Sequence, residues 1–262
     1  MVRRKGQMNM NKNIVLKVED LKRHYTVEID DEEIQTISVL KGLSFDVCEG
    51  EFVGIMGRSG CGKTTLLKTL GLIAQSNGGD IWYRDKKVSN IYGDDLAEIR
   101  RKELGFIFQD FYLMDSLSIL ENIMMPLIFN EDDIAESKKK AMDIAEKFQV
   151  DHLLHKKPYE ISGGEKQRTA ICRTLVADPG LIFGDEPTGN LDSKSAKVVI
   201  EALSEINKQL GKTIVLVTHD PIIASYCSRI IFLKDGQIMG DLRKEGTNDE
   251  FYLQVLEKMK EL

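Results

Sequence analysis

Gly57-Arg58-Ser59-Gly60-Cys61-Gly62-Lys63-Thr64 is the stretch that decides the reading of this chain. It has the spacing GxxxxGK[ST], with the apolar run Phe52-Val53-Gly54-Ile55-Met56 before it and a helix-compatible segment, residues 65–72, after it. Phosphate binding needs all three parts. Glycines let successive backbone N–H groups turn inward around phosphate oxygens, and the N-terminus of the following helix adds its positive end. A lysine at position 63 is placed to meet β- and γ-phosphates, and the Thr64 hydroxyl to ligate Mg²⁺.

Outward from this loop, two further stretches carry chemistry. Leu181-Ile182-Phe183-Gly184-Asp185-Glu186 reads as an apolar strand ending in two carboxylates. Asp185 at a strand end can hold Mg²⁺ through water, and Glu186 can polarise an attacking water. Gly184 inside the strand is expected to weaken it mildly. Ser162-Gly163-Gly164-Glu165-Lys166 precedes a helix-compatible run, residues 167–176. A serine there is by itself an ordinary N-cap.

The rest of the chain is a frame for these motifs. Its 262 residues are 42% hydrophobic and 30% charged, enough for a buried core and unlike a disordered or fibrous chain. Acidic residues number 42 against 36 basic, a net charge of −6, which argues against binding of nucleic acid. Cys48, Cys61, Cys172 and Cys227 have no metal or disulfide spacing, as in a reducing compartment. No apolar stretch approaches the roughly 18 residues that cross a bilayer. The polar N-terminus, residues 1–13, is expected to be mobile and does not resemble a signal peptide.

Residues 14–18, 37–40, 43–47 and 51–56 read as strands, with Asp30-Asp31-Glu32-Glu33 as a solvated loop. Residues 79–88 read as a hairpin and 104–108 as a short strand. Residues 111–176 turn helical, with Ala141, Ile144, Ala145 and Phe148 on one face. The continuous apolar runs 181–183, 213–217 and 230–233 suit strands of a parallel sheet covered on both faces. Val199, Ala202, Leu203 and Ile206 mark a helix between the first two. Asp220-Pro221 suits a helix start, Asp235-Gly236 a type I′ turn, and Thr247-Asn248-Asp249-Glu250 a capping box opening the last helix. The fold expected is α/β, one domain over residues 1–262, with the helical stretch as an inserted subdomain.

The order phosphate loop, ISGGE, acidic strand resembles one family, the ATP-binding subunits of ABC transporters, whose signature LSGGQ is similar to Ile161-Ser162-Gly163-Gly164-Glu165. The resemblance implies a RecA-like P-loop NTPase core with an antiparallel β-subdomain and the inserted helices. It also implies roles for residues in matching positions. Gln109, after Gly105-Phe106-Ile107-Phe108, resembles the Q-loop glutamine. Asn190-Leu191-Asp192-Ser193 resembles the D-loop, with Asp192 as its acid. His219 resembles the switch histidine, and Tyr25 the aromatic A-loop residue that stacks on adenine, with Tyr83 and Tyr92 as alternatives.

The implied cofactors are ATP and Mg²⁺. ATP would be held by Tyr25, Gly57, Arg58, Ser59, Gly60, Cys61, Gly62, Lys63, Thr64 and Thr65. The metal would be held by Thr64, Gln109 and Asp185, and catalysis carried by Glu186 as base with His219, Gln109 and Lys63. In the family two subunits pack head to tail around ATP, so Ser162, Gly163, Gly164 and Glu165 would contact the nucleotide of a second copy. Glu165 departs from the usual glutamine of the signature.

Asp185-Glu186-Pro187-Thr188-Gly189-Asn190-Leu191-Asp192 further resembles the group serving FtsX/MacB-type permeases. Residues 121–127, 219–227 and 232–237 and the segment around Phe251-Tyr252 are similar to BceA-type ATPases, which power resistance to bacitracin and related peptides. The implied partner is an integral membrane permease, and the implied location the cytoplasmic face of the cell membrane. Three readings stand at this point: a transporter ATPase for peptide resistance, the same machine in lipoprotein release or cell division, and a P-loop NTPase that acts without a membrane.

Overall fold

A computed structural model describes residues 13–30, 33–130 and 132–261. Its first two strands, β1 (Ile14–Asp30) and β2 (Glu33–Cys48), form one long antiparallel hairpin, paired from Ile14 with Cys48 to Asp30 with Glu33. Both run well beyond the short strands expected. Burial fades toward the hairpin tip, where Lys22, Tyr25, Thr26 and Val27 of β1 and Gln35 and Thr36 of β2 are exposed. A backbone ladder continues without a buried face, and sequence alternation does not record it. Asp30 and Glu33 pair across the hairpin tip. Asp31 and Glu32 of the acidic loop lie outside the described residues, as does the polar N-terminal stretch apart from Asn13. On its other edge β1 pairs with β4 (Gly78–Tyr83), which turns at Arg84 into β5 (Lys86–Lys87), giving the order β2-β1-β4-β5.

The second sheet has the order β10-β9-β3-β8-β7-β6. Its strands are β3 (Phe52–Met56), β6 (Leu104–Phe108), β7 (Leu181–Asp185), β8 (Thr213–Thr218), β9 (Arg229–Lys234) and β10 (Gln237–Arg243). All pair in parallel except β10, which returns antiparallel to β9 through Asp235 and Gly236. Both turn residues have positive φ, 48° and 78°, as a type I′ turn requires.

Why the central strands are apolar throughout is visible in the two cores. Side chains alternate along a strand, so Val53, Phe183, Val215 and Ile231 enter the core facing β1, β2 and helix α1 (Lys63–Leu70). Phe52, Ile182, Ile214 and Phe232 enter the opposite core, with Ile171, Val199, Leu203, Phe251 and Val255 from α5 (Gly163–Leu175), α6 (Ser193–Leu210) and α8 (Asn248–Met259). Each such fully buried large side chain contributes about 1.5–3 kcal/mol. At Gly184 a Cβ would lie 2.8 Å from Leu216 Cδ1, so close packing of β7 on β8 explains the glycine that the sequence left as a weakness.

Between β6 and β7 lie α3 (Ile119–Phe129), α4 (Ile134–Lys147) and α5, sharing a core of Ile119, Ile123, Leu127, Ala141, Ala145, Leu153 and Cys172. Helix α2 (Gly93–Lys102), which sequence periodicity did not suggest, buries Ile99 alone. Asp220 caps the short α7 (Pro221–Ala224), and Thr247 with Glu250 forms the capping box that opens α8.

Candidate active site

Strand β3 delivers the chain into residues 57–62, and α1 carries it away. Gly57 is required by packing: a Cβ there would fall 2.2 Å from the Leu233 carbonyl oxygen. Gly62 sits at φ 105°, a region closed to other residues, and no side chain caps the helix that follows. The first N–H groups of α1 therefore stay available to an anion. Lys63 is 6% exposed, and its ammonium donates to the carbonyls of Gly57 (2.9 Å) and Arg58 (3.1 Å).

Asp185 and Glu186 end β7 directly opposite this loop. The Thr64 hydroxyl donates to Asp185 Oδ1 at 3.0 Å. Burial pushes the Asp185 carboxyl above its ordinary range, partly offset by the Thr64 hydrogen bond. A partly buried carboxylate beside a hydroxyl supplies the hard oxygen donors that fit a divalent cation such as Mg²⁺. Mg²⁺ keeps several waters and takes few protein ligands, so this pair suffices together with phosphate oxygens.

Glu186 occupies the left-handed region at φ 45°, a conformation that costs a non-glycine residue of order 1–3 kcal/mol. Its N–H bonds to the Val217 carbonyl (3.0 Å), which anchors the turn to β8. The carboxylate is thereby held 3.9 Å from Lys63 Nζ by one oxygen and 2.9 Å from His219 Nδ1 by the other. His219 follows the last residue of β8 and is solvent-facing on its other side.

Gln109 follows the end of β6 and lies against the Glu186–Leu191 segment. Its Nε2 donates to Asn190 Oδ1 (3.1 Å), and Asn190 Nδ2 donates to the Gln109 carbonyl (3.3 Å) and to Asp110 Oδ1 (3.0 Å). Phe111 and Tyr112 are both left-handed, at φ 59° and 48°. Arg173 of α5 fixes them by donating to their carbonyls, at 2.7 Å to Phe111. Burial lowers the Arg173 pKa.

Tyr25 lies at the phosphate-loop helix. Its hydroxyl pKa is lowered first by a hydrogen bond with Thr65, and the Arg23 guanidinium stacks 4.7 Å from its ring centre. The two alternatives sit elsewhere: Tyr83 is buried and bonded to Glu103, and Tyr92 stands at the start of α2.

Ser162 caps α5, and with Glu165 it forms a capping box: the Glu165 N–H bonds to Ser162 Oγ, and Glu165 Oε2 accepts from the Ser162 N–H and hydroxyl, each at 2.7 Å. These bonds hold the Glu165 carboxyl below the usual range. A glutamine makes the same box, so the departure from the signature keeps the local structure. Asp192 similarly caps α6 through the N–H groups of Lys194 and Ser195. A Cβ on Gly164 would lie 2.9 Å from Ser195 Oγ, so the Ser162 turn and the Asp192 turn share one surface. Among the described residues, Ser162 and Glu165 bond to one another and not to the phosphate loop of their own chain.

The structure thus brings Lys63, Thr64, Asp185, Glu186 and His219 into one cluster. Gln109 joins through Asn190, and Ser162–Glu165 with Asp192 stands apart. Sequence reading placed Asn190 in the D-loop segment without a role of its own and missed Arg173. The one available signal was a lone arginine in the apolar run Ala170-Ile171-Cys172-Arg173-Thr174-Leu175.

This arrangement can bind a nucleoside triphosphate, offer a divalent cation an oxygen pair and direct a carboxylate at the terminal phosphate. Comparison with known proteins agrees. The sequence family described as ABC transporter matches residues 40–189, more than half of the chain. The chain belongs to the ABC transporter ATP-binding family. It is 45% identical over 218 residues to the ABC transporter ATP-binding protein YxdL of Bacillus subtilis, covering 83% of this chain and 85% of that one. It is 43% identical over 230 residues to the bacitracin export ATP-binding protein BceA of Halalkalibacterium halodurans, covering 88% and 89%. A solved dimeric, post-hydrolysis state of the ATP-binding cassette MJ0796 with ADP and Pi superposes with a TM-score of 0.80 at 36% identity, over 88% of this chain and 99% of that one. The fold is accordingly the P-loop ATPase core with an antiparallel sheet and added helices, and the activity of this ABC ATPase is ATP hydrolysis. Among the described residues no helix is long and apolar enough to cross a membrane.

Proposed function

We propose that this chain is the ATP-hydrolysing subunit that pairs with a second copy around ATP and drives a separate membrane permease, one that confers resistance to cell-wall-active peptides. The observation that carries the ATPase part of the reading is the Glu186 carboxylate, held in a strained turn between Lys63 and His219. In this reading the N–H groups of residues 58–64 and the Lys63 ammonium bind the β- and γ-phosphates, and Tyr25 carries the adenine. Thr64, Asp185 and Gln109 hold Mg²⁺. When bound, the cation neutralises phosphate charge and helps align the γ-phosphoryl group for in-line attack. Glu186 accepts the proton of the attacking water, and His219 keeps that carboxylate aimed. Phosphoryl transfer needs mainly positioning and charge compensation, and these residues supply both.

A single phosphate loop leaves the outer side of the γ-phosphate uncovered. The separateness of the Ser162 turn from its own phosphate loop supports its use by a second copy: the α5 N-terminus offers N–H groups and a dipole to that copy's nucleotide. ATP would then bridge two subunits, and hydrolysis would part them. Ser162→Arg tests this. Binding of ATP to the variant should stay close to wild type by equilibrium fluorescence, while hydrolysis falls by about two orders of magnitude or more, the scale of a lost oxyanion-type donor. A drop in binding with unchanged turnover per bound ATP would reduce Ser162 to an N-cap.

Tyr112 and Met114 are exposed directly after Gln109, which supports this surface as the one that meets the permease on the cytoplasmic face of the membrane. Similarity to the bacitracin export protein supports the peptide-resistance output. Deletion of the gene should leave growth in plain medium near normal and sensitise cells to bacitracin or lantibiotic-like peptides, read as minimum inhibitory concentrations. An unchanged panel with filamentous or lysing unchallenged cells would replace this output with lipoprotein release or division and leave the ATPase reading standing.

A further inference from the structure

Asn190 does more than close a turn. Its Nδ2 faces two oxygens, the Gln109 carbonyl at 3.3 Å and Asp110 Oδ1 at 3.0 Å. A carbonyl and an ionised carboxylate only accept, so the NH₂ of Asn190 must point to them. Its Oδ1 must then face the Gln109 side chain, 3.1 Å away, and only the NH₂ of Gln109 can donate to it. Amide orientation at Gln109 is thus fixed by a chain of three groups starting at the Asp110 carboxylate, and the Gln109 Oε1 is left over. A free amide could present nitrogen or oxygen with little preference; a hard divalent cation accepts oxygen alone.

We infer that Asn190 is a positioning residue for cation binding: it locks the Gln109 amide so that Oε1, never Nε2, is offered to the Thr64–Asp185 metal site. The inference rests on the proposed role of Gln109 at the metal. Asn190 bonds to Gln109 and Asp110 and not to Thr64 or Asp185. It lies on the segment joining Glu186 to Asp192, so orientation of Gln109 is coupled to the placement of that segment. Arg173 keeps the far end of the loop still by holding the Phe111 and Tyr112 carbonyls. Arg173 thus keeps one anchor of the loop in place when the Asn190 bonds to Gln109 and Asp110 are removed.

The test measures Mn²⁺ affinity, by paramagnetic resonance of free Mn²⁺, for the full chain saturated with a non-hydrolysable ATP analogue. Asn190→Ala should raise the Mn²⁺ dissociation constant about twofold, the factor expected when about half of the free amide orientations present oxygen. In a Gln109→Ala background there is no amide to orient, so adding Asn190→Ala should change nothing further. This double-mutant comparison separates orientation from structure. An equal loss in both backgrounds, or no loss in the single variant while Gln109→Ala weakens Mn²⁺ binding, overturns the lock. If Gln109→Ala itself leaves Mn²⁺ affinity unchanged, the metal role of Gln109 falls, and the lock with it.

Discussion

Glu186→Gln should abolish turnover while keeping ATP bound. The glutamine amide preserves the size of the side chain and can remain beside His219 but cannot take a proton from water. General-base contributions are worth about 10²–10⁴ in rate, and the loss should fall on kcat. Binding should hold or tighten, because the Glu186 carboxylate stands 3.9 Å from Lys63 and competes with phosphate for its ammonium. The left-handed turn at residue 186 tolerates glutamine as well as glutamate, so the melting temperature without nucleotide should move little. Light scattering with ATP and Mg²⁺ should report a shift from one copy to two, since hydrolysis no longer separates the pair. Rapid turnover in this variant would move the base to another residue. Absence of pairing even with the permease present would remove the head-to-tail assembly from the proposal.

Removal of the Lys63 ammonium is the second large effect. That group bonds to the carbonyls of Gly57 and Arg58, and the residue is only 6% exposed. Hydrogen bonds to a charged group are worth about 1.5–3 kcal/mol each. Loss of two phosphate contacts in Lys63→Ala should therefore weaken ATP at least about a hundredfold. Lys63→Met keeps much of the buried stem without the charge and should show the same binding loss with a native melting temperature, which separates binding from folding. Near-normal ATP affinity and hydrolysis in both variants would refute the phosphate-loop assignment.

The two largest effects fall on residues legible in the sequence, and the reason is locality. Glycine at 57 and 62, the lysine and the threonine lie within eight consecutive positions, because the loop wraps one small anion with its own backbone. The capping boxes at Ser162 and Thr247 close over three residues. The β7 carboxylates ride on a strand whose continuous apolar run already announces burial on two faces. Other parts of the molecule leave no such local record. The outer halves of β1 and β2 hold by backbone pairing at an exposed hairpin, where side-chain pattern is silent. Helix α2 sets only Leu96 and Ile99 against the core in an otherwise charged segment, too few apolar residues to mark a helix.

What the sequence by itself determined is the family and its short motifs: a glycine-rich loop ahead of a helix, two carboxylates after an apolar strand, and a second, separate capped turn, each with its own physical signature. Tertiary structure alone decided how these act on one another. His219 reaches Glu186 across 33 positions, Arg173 reaches Phe111 across 62, and Asn190 reaches Gln109 across 81. The parallel sheet sets these partners, because it brings the ends of β3, β6, β7 and β8 to one edge. A hydrogen bond between two such strand ends depends on strand order and not on any spacing along the chain.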